Sequence, residues 1–355
     1  MSVNVNSKIE PVGNKRNAKK QIMPLVETEK YILKTIKGQD NQVRQIVTAV
    51  YKNIYFGYKS NVLIVGKSGT GKTEILRQLA KKIDRTCVTI DANDYTEEGY
   101  QGKNVSEIVY EILEANNYDV EKAENSIVIV DEIDKKAAVN EDGHRDVSGK
   151  GVQNAMLKLI EGKEIPIPYI SEEGVDIVYF NTEKIVFIFA GAFSGIEEII
   201  KKRIKKESSI GFSVETKTEE QKEDEKKVKK KDLIEFGLSE EFIGRMDTIV
   251  QMNELDEKIL KDILINSKSS KLKMYVNGLK RKYGIVTEYN SKQVEAFAKK
   301  ATKESQETGA RELTNVVNYV FEKIHYQVMS NPQGKYTKLV LLNGIEEDNT
   351  RYILK

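Results

Sequence analysis

Gly66-Lys67-Ser68-Gly69-Thr70-Gly71-Lys72-Thr73 is the stretch that decides the fold. It follows a β-branched apolar run at 62–65 and opens onto a helical pattern over 74–83, the context in which a phosphate-binding loop operates. Its glycines permit backbone angles that turn successive N–H groups inward as a nest for phosphates. The start of the next helix adds its positive dipole end. Lys72 can reach the β- and γ-phosphates of a nucleoside triphosphate, and the Thr73 hydroxyl can ligate Mg²⁺. Residues 66–73 are therefore the candidate nucleotide site, with ATP and Mg²⁺ as the expected ligands.

Outward from this loop, short apolar strands alternate with helices. Strands are expected at 62–65, 88–90, 127–130 and 185–189, and helices at 42–55, 74–83, 105–115 and 151–160. This alternation implies a parallel sheet covered by helices on both faces. The strand Ile127-Val128-Ile129-Val130 delivers Asp131 and Glu132 at its C-terminal end, where open α/β sheets bind ligands. Asp131 is placed to hold magnesium, and Glu132 to polarise an attacking water as general base.

The flanking segments differ in kind. Residues 1–22, rich in Asn, Lys and Gly, read as a disordered arm. From 213 to 231 apolar residues nearly vanish, and between 215 and 231 seven lysines stand against six acids, the pattern of a mobile surface loop. That loop is delimited at 207–231 within a large domain at 23–250. A smaller, mainly helical domain is expected at 251–355, with helices at 257–272, 291–302 and 312–329 and a closing hairpin of 338–342 and 351–354.

Composition narrows the class of function. The 355 residues carry 57 Lys and Arg against 55 Asp and Glu, a net charge of +2, without the basic excess of a nucleic-acid binder. One cysteine and two histidines exclude an intramolecular disulfide and a cysteine-built zinc site. No apolar run reaches the roughly 18 residues a membrane span needs. The N-terminus has no apolar signal segment, so the expected compartment is the cytoplasm.

Together these residues resemble the AAA+ superfamily, and within it the ClpX unfoldases that partner the ClpP protease. The resemblance runs from about Thr35 to Ser330 and rests on an ordered series of motifs. These are Gly38-Gln39, Gly99-Tyr100-Gln101-Gly102, Asp131-Glu132-Ile133-Asp134-Lys135 and Arg145-Asp146-Val147-Ser148-Gly149. They continue with Leu157-Lys158-Leu159-Ile160-Glu161-Gly162, Gly191-Ala192-Phe193, Ile210-Gly211-Phe212, Glu241-Phe242-Ile243-Gly244-Arg245 and Gly309-Ala310-Arg311. The resemblance implies a homo-hexameric, ATP-driven ring that threads unfolded or tagged proteins through a pore and hands them to a ClpP-type peptidase. It implies Arg245 as an arginine finger acting on a neighbouring subunit's ATP and Arg311 as the sensor arginine. Ile36 borders the nucleotide, Tyr100 is the pore aromatic that grips substrate, 137–144 forms a second pore loop, and Ile210-Gly211-Phe212 docks on the peptidase.

The chain also departs from that family. It lacks the cysteines of the N-terminal zinc-binding domain, Gln101 and Lys103 replace the Val and Glu of the pore loop, and Lys37 stands where the family has an apolar residue. Between Gly162 and Ile185 an apolar and acidic stretch replaces the family's Arg-Lys-His pore-entrance loop. The strand ending Ala190-Gly191-Ala192 offers no polar sensor side chain. An HslU-type unfoldase, a remodeller without a protease and a slow nucleotide-dependent switch remain as other readings of the same ATPase.

Overall fold

The computed structural model describes residues 23–96, 103–105, 107–137, 147–171, 174–210, 218–304, 309–331, 336–342 and 352–355. In chain order its elements are α1 (Leu25–Leu33), α2 (Asp40–Phe56), β1 (Val62–Val65), α3 (Lys72–Ala80), β2 (Cys87–Asp91), β3 (Tyr95–Thr96), β4 (Lys103–Asn104), α4 (Glu107–Ala115), α5 (Val120–Ala123) and β5 (Ile127–Asp131). Then come α6 (Val147–Ile160), β6 (Glu164–Ser171), β7 (Gly174–Asn181), β8 (Val186–Gly191), α7 (Ile196–Ile210), α8 (Glu219–Glu225), α9 (Lys230–Phe236), α10 (Glu240–Gly244) and β9 (Thr248–Gln251). The last are α11 (Glu257–Asn266), α12 (Lys271–Tyr283), β10 (Val286–Glu288), α13 (Ser291–Glu304), α14 (Gly309–Ser330), β11 (Lys338–Leu341) and β12 (Tyr352–Leu354).

The chain forms two compact units. The first takes residues 23–25, 44–65 and 79–251, and holds a five-stranded parallel sheet in the order β2-β5-β8-β1-β9. Strands β1 and β8 are buried along their whole length, as a sheet covered on both faces requires. This is the α/β fold the strand–helix alternation implies. Because β1, β5 and β8 run parallel, their C-terminal ends share one edge, with β8 between the other two.

The second unit takes residues 26–43, 66–78 and 252–355. Helix α14 buries Leu313, Val316, Val317, Val320, Phe321, Ile324 and Val328, a stripe at helical spacing that lines this unit's core with Leu260, Leu279 and Phe297. Beside the helices lies a three-stranded sheet, β10-β11-β12.

Three expectations are corrected. The helix expected at 257–272 is two helices. Ser270 Oγ accepts from Lys273 N at 3.2 Å and so caps α12, while Ser267 Oγ donates to Thr35 O at 2.6 Å, and this serine cluster breaks the helix. The hairpin expected at the C-terminus gains β10 as a third, parallel strand. The stretch expected as a mobile loop at 207–231 contains helix over much of its described length: α7 continues to Ile210, Thr218 and Gln221 form a capping box on α8, and after a short turn α9 begins at Lys230. Arg203 of α7 reaches Asp232 Oδ1 at 2.7 Å, Glu225 O at 2.9 Å and Lys227 O at 3.0 Å, so one buried guanidinium joins α7, the end of α8 and α9. The β6–β7 hairpin is an addition that the sequence reading did not assign.

Candidate functional site

The phosphate-binding loop belongs to the second unit and directly follows β1. Gly69 (φ +76) and Gly71 (φ +101) take the left-handed angles that other residues resist. The loop's carbonyl oxygens are turned back onto protein. Gly69 O accepts from Ala310 N at 3.1 Å, Thr70 O from Gln39 Nε2 at 3.3 Å, and Lys67 O from Thr70 Oγ1 at 2.8 Å. The buried Lys72 ammonium binds the carbonyls of Gly66 and, at 3.0 Å, Lys67. Among the described residues no acceptor meets the N–H groups of Ser68, Gly69 or Gly71. With most of its carbonyls bound to protein and the amides of Ser68, Gly69 and Gly71 left for an anion, the loop fits the phosphates of a nucleotide.

Several residues hold this loop in place. Ile36 is buried, and its Cδ1 would lie 3.6 Å from a Cβ at Gly71, so it borders the loop. Gln39 is fully buried and also spans to Asn253, donating to its carbonyl at 2.9 Å and accepting from its N–H at 3.0 Å. Lys67 pairs with Glu254 at 2.6 Å. Lys37 donates to Leu33 O at 2.8 Å. Arg311 is exposed in the first turn of α14, directly after the Ala310 amide that binds the loop, and Thr73 is exposed in the first turn of α3.

The carboxylates belong to the first unit. Asp131 ends β5, in register with Asp91 of β2, and its Oδ1 accepts from Glu132 N at 3.0 Å. Glu132 adopts φ +58 and ψ +30, a left-handed conformation that is strained for a residue with a side chain. Its exposed carboxylate accepts from Asn93 Nδ2 at 2.5 Å, and Asn93 is itself fixed by donating its N–H to Asp91 Oδ1 at 2.8 Å. Sequence reading missed Asn93. Its signal is a position two residues past the end of β2, the strand paired with β5.

Asp134 explains why two motifs occur together. It is buried, Oδ2 accepts from Phe193 N at 3.2 Å, and a Cβ at Gly191 would come within 2.5 Å of Oδ1. Only glycine at 191 leaves room for that carboxylate.

Arg245 follows α10 with its side chain half exposed, and Nη2 pairs with Glu161 Oε1 at 3.1 Å. Lys163 and Arg245 together hold the Glu161 carboxyl below the usual carboxylate range. The buried Asn61 steadies the Arg245 backbone, donating from Nδ2 to its carbonyl at 3.0 Å. Tyr100, Gly211, Phe212 and residues 138–144 lie outside the described residues, and Ile210 is the last residue of α7. Among the described residues no cluster of His, Cys, Asp and Glu suits a metal ion, and no helix is long and apolar enough to cross a membrane.

Known proteins agree with this architecture. The family described as AAA domain (Cdc48 subfamily) matches residues 58–249. The chain is 35% identical over 328 residues to the "ATP-dependent Clp protease ATP-binding subunit ClpX" of Borrelia duttonii, covering 86% of this chain and 74% of that one. The proteins of the same name from Bacteroides thetaiotaomicron and Treponema denticola are 33% and 34% identical, each over 89% of this chain and covering 80% and 79% of theirs. The family match over 58–249 and relatives named ClpX that align with most of this chain make the chain an ATPase that belongs to the ClpX family of AAA proteins.

Proposed function

We propose that the chain is an ATP-driven protein unfoldase that assembles as a homo-hexameric ring, threads unfolded or tagged polypeptides through an axial pore and passes them to a ClpP-type peptidase. The observation that carries this reading is the loop at 66–73, in which the carbonyls of Gly66, Lys67, Gly69 and Thr70 bind protein while the amides of Ser68, Gly69 and Gly71 meet no acceptor among the described residues, in a chain whose relatives bear the ClpX name.

In this reading the amides of Ser68, Gly69 and Gly71 and the Lys72 ammonium bind the phosphates, which replace the carbonyl partners of Lys72. Thr73 and Asp131 would hold Mg²⁺, and the bound ion supplies neutralisation of phosphate charge. Glu132 takes a proton from the attacking water, with Asn93 fixing the direction of its carboxylate. Arg245 leaves Glu161 to act on a neighbouring subunit's nucleotide, and Arg311 reports phosphate state to the second unit. Tyr100 grips the polypeptide, and Ile210, Gly211 and Phe212 dock on the peptidase. Burying the Ile and Phe side chains contributes about 1.5–3 kcal/mol each, and a ring would present several such contacts together.

Co-sedimentation with a ClpP-type peptidase, with and without ATP, tests the reading. The wild type is expected to co-sediment when ATP is present. Phe212→Ala is expected to lose the peptidase while keeping ATPase and unfolding activity. ATP-dependent unfolding without any peptidase binding would favour a stand-alone remodeller.

A further inference from the structure

The ribbon of β6 and β7 stands apart from the five-stranded sheet, and among the described residues no third strand pairs with it. Its register determines which backbone groups face outward. In an antiparallel pair, hydrogen-bonded and non-hydrogen-bonded residue pairs alternate. Pro166 and Pro168 have no N–H and can only occupy the second kind. Their partners Tyr179 and Ile177 therefore also direct N–H and C=O away from β6. Two bonds at the base of the ribbon agree with this parity. Thr182 N donates inward to Lys163 O at 3.2 Å, and Asn181 N donates outward to Glu124 Oε1 at 2.7 Å.

The two edges consequently differ. The β6 edge offers carbonyls without amides at 166 and 168 and cannot support a continuous added strand. The β7 edge keeps both donor and acceptor at Ile177 and Tyr179, residues that are 57% and 61% exposed. On the other face Ile167 and Phe180 are buried in the core of the first unit. That anchorage gives the ribbon a stability an isolated hairpin lacks. An anchored ribbon with one sealed edge, one open edge and an exposed face of Pro166, Pro168, Ile177 and Tyr179 has the chemistry of strand addition, in which main-chain bonds give affinity and alternate side chains give selectivity.

We infer that the β7 edge captures extended polypeptide, the incoming chain adding a strand at Ile177 and Tyr179. Main-chain pairing tolerates varied sequence, and the apolar face favours apolar side chains at every second position of the captured segment. This rests on the reading of the chain as a protein that handles unfolded polypeptide.

The test uses the full chain with a non-hydrolysable ATP analogue and a fluorescein-labelled peptide of alternating Val and Thr, read by anisotropy. Tyr179→Pro removes an outward N–H that the ribbon does not use, as Pro166 already does on the other strand. It is expected to weaken peptide binding about tenfold, with basal ATPase and thermal melting unchanged. With wild-type protein, the same peptide N-methylated at alternate residues is expected to lose binding to a similar degree, a result that does not depend on how the variant folds. Wild-type affinity for the N-methylated peptide overturns the inference, as does unaltered binding by a Tyr179→Pro chain that melts normally. Loss of self-association in Tyr179→Pro with peptide binding intact would assign the edge to contacts between copies and overturn it as well. Peptide capture by a wild-type chain that cannot unfold a tagged protein would instead count against the unfoldase reading alone.

Discussion

The Ala310 amide donates to the Gly69 carbonyl at 3.1 Å, and a Cβ on the adjacent Gly309 would stand 3.1 Å from that same oxygen. Gly309 also has φ +48, so the first residue of α14 is glycine for two independent reasons. Gly309→Ala adds left-handed strain of about 1–2 kcal/mol and crowds the loop. It is expected to weaken the binding of a fluorescent ATP analogue several-fold. Unchanged affinity would show that the contact does not shape the nucleotide site.

Glu132→Gln is expected to bind ATP while hydrolysing it very slowly, because Lys72 and Thr73 remain. Lys72→Ala is expected to lose binding itself. Asn93→Ala separates orientation from chemistry: it frees the Glu132 carboxylate without deleting it. Its turnover is expected to change several-fold at constant nucleotide affinity, read from single-turnover hydrolysis beside equilibrium binding. A shift in affinity alone would remove Asn93 from the catalytic step.

Arg245→Ala is expected to leave the nucleotide affinity of isolated subunits near wild type while turnover of the assembled ring collapses. In GTPase systems a supplied arginine contributes about 10³–10⁵ in rate, an upper guide here. Mixing Arg245→Ala subunits with Glu132→Gln subunits is expected to restore part of the activity, since each supplies what the other lacks. Glu161→Gln, which removes the charge paired with Arg245, is expected to retain turnover. Failure of every mixture to recover activity would argue that Arg245 serves only its ion pair with Glu161.

Lys59 gives a pH signature. It donates to Thr182 O at 2.5 Å and Ile185 O at 3.2 Å, and burial lowers its pKa from 10.5 to about 8. Between those two values the unfolded chain binds the extra proton and the folded chain does not. Stability from this residue therefore rises with pH from about 8 to 10.5, and its cost is fully present below about 8. Lys59→Met is expected to abolish that rise in chemical denaturation curves taken across the interval. An identical pH profile in the variant would assign the rise to other groups.

Much of the fold was legible in the sequence because its signals are local. A phosphate loop needs glycine angles and a strand on one side with a helix on the other, and residues 62–83 carry all of these in a single run. Buried parallel strands announce themselves as apolar runs, so 62–65 and 127–130 could be read directly, as could the apolar stripe of α14. The β6–β7 ribbon escaped notice because Pro166 and Pro168 argue against a strand, and only pairing shows that both lie where no N–H is needed. The break between α11 and α12 was hidden because Ser267 is held by Thr35, a residue 232 positions away.

The sequence by itself determined the class of chemistry, an ATPase of the ClpX family, because the motifs that identify it are read residue by residue along the chain. The tertiary structure alone decided the partnerships. Asn93 holds Glu132, Gln39 bridges Thr70 and Asn253, Asp134 fills the space beside Gly191, and Arg245 rests on Glu161. Each of these contacts joins residues distant in the chain, and their geometry follows from strand register and core packing. Neither leaves a periodic mark on the sequence.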